Sequence, residues 1–139
     1  MLTHLNALVV ALTMASPLLL PHTLVVAHAA GCCDPASPFR EGEGLADTPA
    51  TCSDIAKWAQ LAPKTNDRIT MSIRGKLSKV ETSSALVYLT MCEPGQLQVF
   101  CVTYETNGMR AGDTVLFAGG YERSATGQVV LDPCLASRE

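Results

Sequence analysis

The chain has 139 residues, enough for one domain, and a net charge of −3 from 10 Lys and Arg against 13 Asp and Glu. That mildly acidic balance is not the footprint of a protein that coats nucleic acid electrostatically. Every charged side chain lies after Ala30, whereas all three histidines, His4, His22 and His28, lie before it.

Residues 1–29 read as a secretory signal. An apolar body from Leu5 to Val26, interrupted by Pro17 and Pro21, leads into Ala27-His28-Ala29, with small residues at the −3 and −1 positions of a site cut after Ala29. The start carries no Lys or Arg, and the apolar body exceeds the usual length of about 7–15 residues; Met14 offers a shorter start. About 20 apolar residues also suffice to span a bilayer, so an uncleaved anchor is one alternative, against which the prolines and the Ala-x-Ala site argue. A second alternative is lipidation of Cys32, because Ala29-Ala30-Gly31-Cys32 is a degenerate lipobox with Ala where Leu is usual. The expected location is periplasmic or secreted.

Cleavage leaves no histidine. That removes the commonest general base, the Ser-His-Asp and Cys-His arrangements, and His-containing zinc or haem sites. No catalytic residue, metal or cofactor is expected.

All six cysteines, Cys32, Cys33, Cys52, Cys92, Cys101 and Cys134, lie beyond the signal. In a short exported chain they argue for disulfides; there is no C-x-x-C and no zinc-ribbon spacing. Cys32 and Cys33 bridge each other only with strain. If all six pair, three cysteines before the β domain and three within or after it require at least one bridge between the two groups. Cys134 is expected to pair with Cys92 or Cys101, and Cys52 or the Cys32/Cys33 pair to supply the crossing bridge.

Residues 30–67 are expected to form an irregular arm, rich in Gly and Pro, with a short helix over 53–61. Ser53 is placed to cap it, Pro63 to close it, and Ile55, Trp58 and Ala59 share one face, with Trp58 a core plug. From Ile69 the period becomes two: Ile69, Met71, Ile73, Gly75 and Leu77 alternate with polar residues to Ser78. Lys79 to Ser84 then turns the chain. Residues 85–91 and 97–104 make a hairpin around Glu93-Pro94-Gly95-Gln96, whose Pro-Gly centre suits a type II turn. If Glu93 faces Gln96, Cys92 faces Leu97 and Cys101 faces Tyr88. The two sulfurs then stand four residues apart, roughly 13 Å, too far for a bridge that needs Cα atoms within about 7 Å. The same register sends Tyr88 to the face opposite Phe100 and Tyr104, and a longer loop would shift it. A fourth strand is expected over 114–118, ended by Gly119-Gly120, then a loop over 121–126 and a fifth strand over 128–131.

Five short strands suit a small closed barrel: a mainly β, OB-like fold stapled by disulfides, with one short N-terminal helix. Ile73-Arg74-Gly75-Lys76-Leu77, then Ala111-Gly112-Asp113-Thr114-Val115 leading to Gly119-Gly120, and Val129-Val130-Leu131-Asp132-Pro133-Cys134 together resemble a secreted bacterial OB-fold, similar in shape to the anticodon-binding-type OB domains, over residues 68–135. One departure is that residues 105–113 are too short and Gly-rich for the helix such domains carry between strands three and four. The resemblance implies a binding module whose ligand crosses strands two and three and the loops after strands one and four. Carried onto this chain, that surface involves Arg74, Lys76, Lys79, Tyr88, Phe100, Tyr104, Tyr121 and Arg123. A non-catalytic module for a protein, peptide or envelope polymer is the favoured reading, and a nucleic-acid-binding OB domain outside the cytosol is the alternative. On the plainer view these rings belong to the core, and Arg74 and Lys76 to a solvated strand face.

Overall fold

The computed structural model describes residues 34–124 and 126–139. The signal segment, Cys32 and Cys33 lie outside the described residues. The elements are β1 (Phe39–Glu41), β2 (Ala50–Thr51), α1 (Ile55–Gln60), β3 (Ile69–Ser83), β4 (Leu86–Met91), β5 (Val99–Thr103), β6 (Thr114–Arg123) and β7 (Val129–Arg138). No helix among the described residues is long and apolar enough to cross a membrane.

Five strands close a barrel in the order β3-β4-β5-β7-β6, with β6 returning to β3. Neighbours run antiparallel except β5 and β7, which pair in parallel from Val99↔Val129 to Cys101↔Leu131. This is the OB-like barrel expected. Its interior is filled by the alternate residues of each strand, among them Met71, Ile73, Leu77, Leu89, Met91, Val99, Val115, Phe117 and Leu131, all buried. The helix sits beside that interior: Ile55 and Ala59 are buried in the same cluster and Trp58 packs against it. Asp54, not Ser53, stands at the helix start, and its carboxylate accepts a bond from the Thr51 N–H at 2.6 Å instead of capping the helix.

The strands outrun their sequence signals. β3 continues through Lys79–Ser83, where a turn was expected, because a bulge between Leu77 and Lys79 resets the alternation. Past it, Val80 and Thr82 face the interior partners Leu89 and Val87, while Lys79 and Glu81 turn outward. β6 runs through Gly119-Gly120 to Arg123, and β7 through Asp132-Pro133 to Arg138. The two glycines do not end the strand; they admit β7. A Cβ on Gly119 would lie 2.5 Å from the Pro133 carbonyl oxygen, and one on Gly120 would lie 2.5 Å from that of Asp132. Gly75, on the inward alternation of β3, makes room for sulfur: a Cβ there would meet Cys52 Sγ at 2.7 Å and Met91 Sδ at 2.9 Å.

The arm is less irregular than its composition suggests. β1 pairs antiparallel with β3 and β2 pairs parallel with it, from Phe39↔Met71 and Ala50↔Ile73. These are strands of three and two residues, too short to carry a visible period. Between them the chain crosses the outer side of β3, where Thr70 Oγ1 donates to the Gly44 carbonyl and the Ala46 N–H donates to Ser72 Oγ, both at 3.0 Å. These bonds explain why two outward hydroxyl residues are buried.

Two disulfides join the described cysteines. Cys52–Cys92 ties the arm to the β4–β5 loop, supplying the expected crossing bridge, and Cys101–Cys134 ties β5 to β7. Such bridges fit an oxidising compartment. Between β5 and β6 no helix forms; turns at Asn107-Gly108 and Gly112, all with positive φ, bring Met109 into the core in its place.

Candidate ligand-binding face

The hairpin register decides which rings share a surface. The turn at Glu93-Pro94-Gly95-Gln96 forms, with the Gln96 N–H donating to the Glu93 carbonyl at 3.1 Å and Gly95 at φ +98°. It lies inside a longer loop, residues 92–98, so the last pair is Met91↔Val99 and Cys101 faces Leu89, not Tyr88. This shift of one residue reverses the face of one strand relative to the other. Val87, Leu89, Met91, Val99 and Cys101 point inward and are buried. Tyr88 pairs with Val102 and Thr90 with Phe100, so Tyr88 and Phe100 share the outer face. Tyr104, one step beyond β5 and 76% exposed, follows Phe100 and Val102 in the same alternation. The separation of Tyr88 from Phe100 and Tyr104 expected from the shorter loop is therefore corrected.

Cross-strand pairing extends this face around the barrel. One row runs Lys79, Thr90, Phe100, Val130, Glu122; a second runs Glu81, Tyr88, Val102. Tyr88 and Phe100 are half-buried. Lys79 Nζ lies 2.7 Å from a Glu81 carboxylate oxygen, an exposed ion pair of small energetic weight. At the centre, Thr90 is 2% exposed, and its Oγ1 has no hydrogen-bond partner among the described residues. Thr90 and Val130 were not singled out from the sequence. Only the paired register places them between the named rings and charges.

The other expected site residues lie elsewhere. Arg74 and Lys76 face outward on the half of β3 that pairs with β6, opposite Leu116 and Thr114. The Arg74 guanidinium donates to Glu139 from both Nε and Nη2, the latter at 2.7 Å. That bond holds the Glu139 carboxyl below its usual range. Tyr121 packs edge-on against Phe39, ring centroids 5.1 Å apart, beside the interior residue Leu131. Burial pushes its phenol above the ordinary value, and its hydroxyl has no partner among the described residues. Arg123 donates to the Ala59 carbonyl at 3.2 Å and so ties α1 to the end of β6. The eight residues thus divide into three groups, of which Lys79, Tyr88, Phe100 and Tyr104 form one surface. No group of His, Cys, Asp and Glu side chains capable of holding a metal ion occurs among the described residues.

No protein-family model matches the chain, and no curated protein matches it. Among solved structures it is similar to a chain in the crystal structure of the S. pombe Stn1–Ten1 complex, with 17% identity and a TM-score of 0.41 over 66% of this chain and 78% of that one. At that level of likeness, the OB-like description rests on the barrel's own closure and strand order.

Proposed function

We propose that this chain is an exported, non-catalytic binding module that holds an extended peptide or an uncharged envelope polymer across the outer face of β4 and β5. The observation that carries this reading is the hairpin register, which gathers Tyr88, Phe100 and Tyr104 on one outer face. Rings that leave one side to solvent offer broad apolar contact with a polar edge, which suits a chain-like partner. Export is supported by the apolar N-terminal segment and the two disulfides. The lack of histidine beyond residue 28 supports the non-catalytic reading.

Nucleic acid is the weaker reading. Rings beside a lysine could stack bases, but Lys79 is paired with Glu81, Glu122 ends the same row and the chain is acidic overall. Titration of the isotopically labelled protein with peptides, uncharged oligosaccharides and single-stranded oligonucleotides separates the two. Peptide or saccharide shifts along 86–91 and 99–104, insensitive to salt, are expected. Oligonucleotide binding on that face that weakens steeply with added salt would replace this reading with the nucleic-acid one.

A further inference from the structure

A concave surface lies elsewhere on the barrel, over β6 and β7. It is a groove of about 480 Å³. One wall is the arm where it crosses β3, ending in Leu45, and the other is β7 at Leu135; these leucines are 63% and 79% exposed. The floor is Leu116, Ala118 and Gly119-Gly120. The floor strand pairs with β3 on one side and β7 on the other, so its backbone donors and acceptors are engaged in ladders. A polar occupant would find few partners there, and burying its amides or hydroxyls unpaired is costly. The floor strand thus offers an extended peptide backbone no free edge to pair with, and an aliphatic chain needs none.

The charges at the two ends differ. Toward Leu116 stands Arg74, already engaged by two bonds from its guanidinium to Glu139. Toward Gly120 stands Arg68, whose ion-pair partner among the described residues is Glu43 at 3.4 Å, a carboxylate with 79% of its side chain exposed. So exposed a pair contributes little, and a ligand anion can take the place of Glu43. From Leu116 to Gly120 the floor spans four strand steps, roughly 13 Å.

We propose that this groove binds a free single-chain amphiphile, its aliphatic chain lying along Leu116 and Ala118 and its anionic head on Arg68. The site is separate from the β4–β5 face, and its occupancy does not depend on the function proposed for that face.

The test uses the protein as recovered from its producing cells with its disulfides intact, titrated with octanoate, decanoate and dodecanoate and followed by calorimetry and amide shifts. Affinity should rise about fourfold per added methylene, with shifts at Leu116, Ala118 and Leu135. Arg68→Gln should weaken decanoate about tenfold and leave decanol unchanged. Ala118→Phe should abolish binding of both while the amide shifts of β4 and β5 stay in place; if that variant misfolds, Leu135→Asp serves, with the same expectation. Chain-length independence, equal loss of decanol and decanoate on Arg68→Gln, or shifts confined to Tyr88 and Phe100 would each overturn the proposal. Vesicle binding that Ala118→Phe abolishes, without decanoate binding, would overturn it in favour of a bilayer surface.

Discussion

Removing the disulfides one at a time tests what holds so small a barrel together. Cys52–Cys92 closes a loop of 40 residues and Cys101–Cys134 one of 33. The chain-entropy relation gives about 3.9 and about 3.7 kcal/mol at 25 °C for loops of these lengths. The two loops do not overlap in sequence, so their restrictions on the unfolded chain are nearly independent, about 7–8 kcal/mol together. Domains of this size are typically stable by about 5–15 kcal/mol, so loss of both bridges leaves little margin. The variants are Cys52→Ala/Cys92→Ala, Cys101→Ala/Cys134→Ala and all four changes together, unfolded in urea and followed by Trp58 fluorescence and far-UV circular dichroism. Each double variant should lose about 3–4 kcal/mol, corresponding to a fall in Tm of roughly 15–30 °C. The Cys101/Cys134 variant should fall further, because both sulfurs are buried within the barrel and their removal leaves a void. In the Cys52/Cys92 variant Trp58 should report a transition earlier than the barrel's, since the arm then lacks its covalent tie. A loss below about 1 kcal/mol in both double variants would refute the loop-entropy reasoning.

Gly119→Ala should destabilise by about 2 kcal/mol or more, since its Cβ meets backbone at Pro133 and Cys134 that cannot yield as a side chain can; a neutral result by urea midpoint would show that β7 can move aside. Gly75→Ala should also destabilise by roughly 1–3 kcal/mol, and part of that cost should return in the Cys52→Ala/Cys92→Ala background, where the nearest sulfur is gone; strictly additive effects in the double-mutant cycle would contradict the contact. The carboxyls of Glu139 and Asp113 both sit below their ordinary range, Glu139 through the Arg74 guanidinium and Asp113 first through the Arg110 N–H and then through Arg138. Lowered folded values add stability that is complete by about pH 5 and fades as pH falls through them, so Glu139→Gln should flatten the dependence of the urea midpoint below that pH. An unchanged slope would exclude the Arg74 pair as a source of acid sensitivity. Tyr104→Ala should leave stability within about 0.5 kcal/mol, because the ring is exposed, yet weaken the ligand of the β4–β5 face roughly tenfold; a stability loss without an affinity loss would mark the ring as structural.

Strict alternation from Ile69 to Leu77, the turn residues and the number of short apolar runs sufficed by themselves to point to a small, mainly β domain. Parity among the cysteines determined that, if all of them pair, a bridge must leave the arm. These features are local or countable, so no neighbouring strand is needed to read them. The tertiary structure decided the rest. Lys79–Ser83 looked like a turn because a single bulge inverts the alternation, and a bulge is defined only against its partner strand. Gly119-Gly120 looked like a stop because the backbone they admit, at Asp132 and Pro133, is more than ten residues away in sequence. The hairpin could be placed but not its register: a Pro-Gly turn fits equally inside a loop of four residues or of seven, and the one-residue shift in strand pairing between the two moves Tyr88 from the face opposite Phe100 to the same face. Which aromatic rings form a common surface was thus settled by strand pairing, a long-range property that no single segment of the sequence contains.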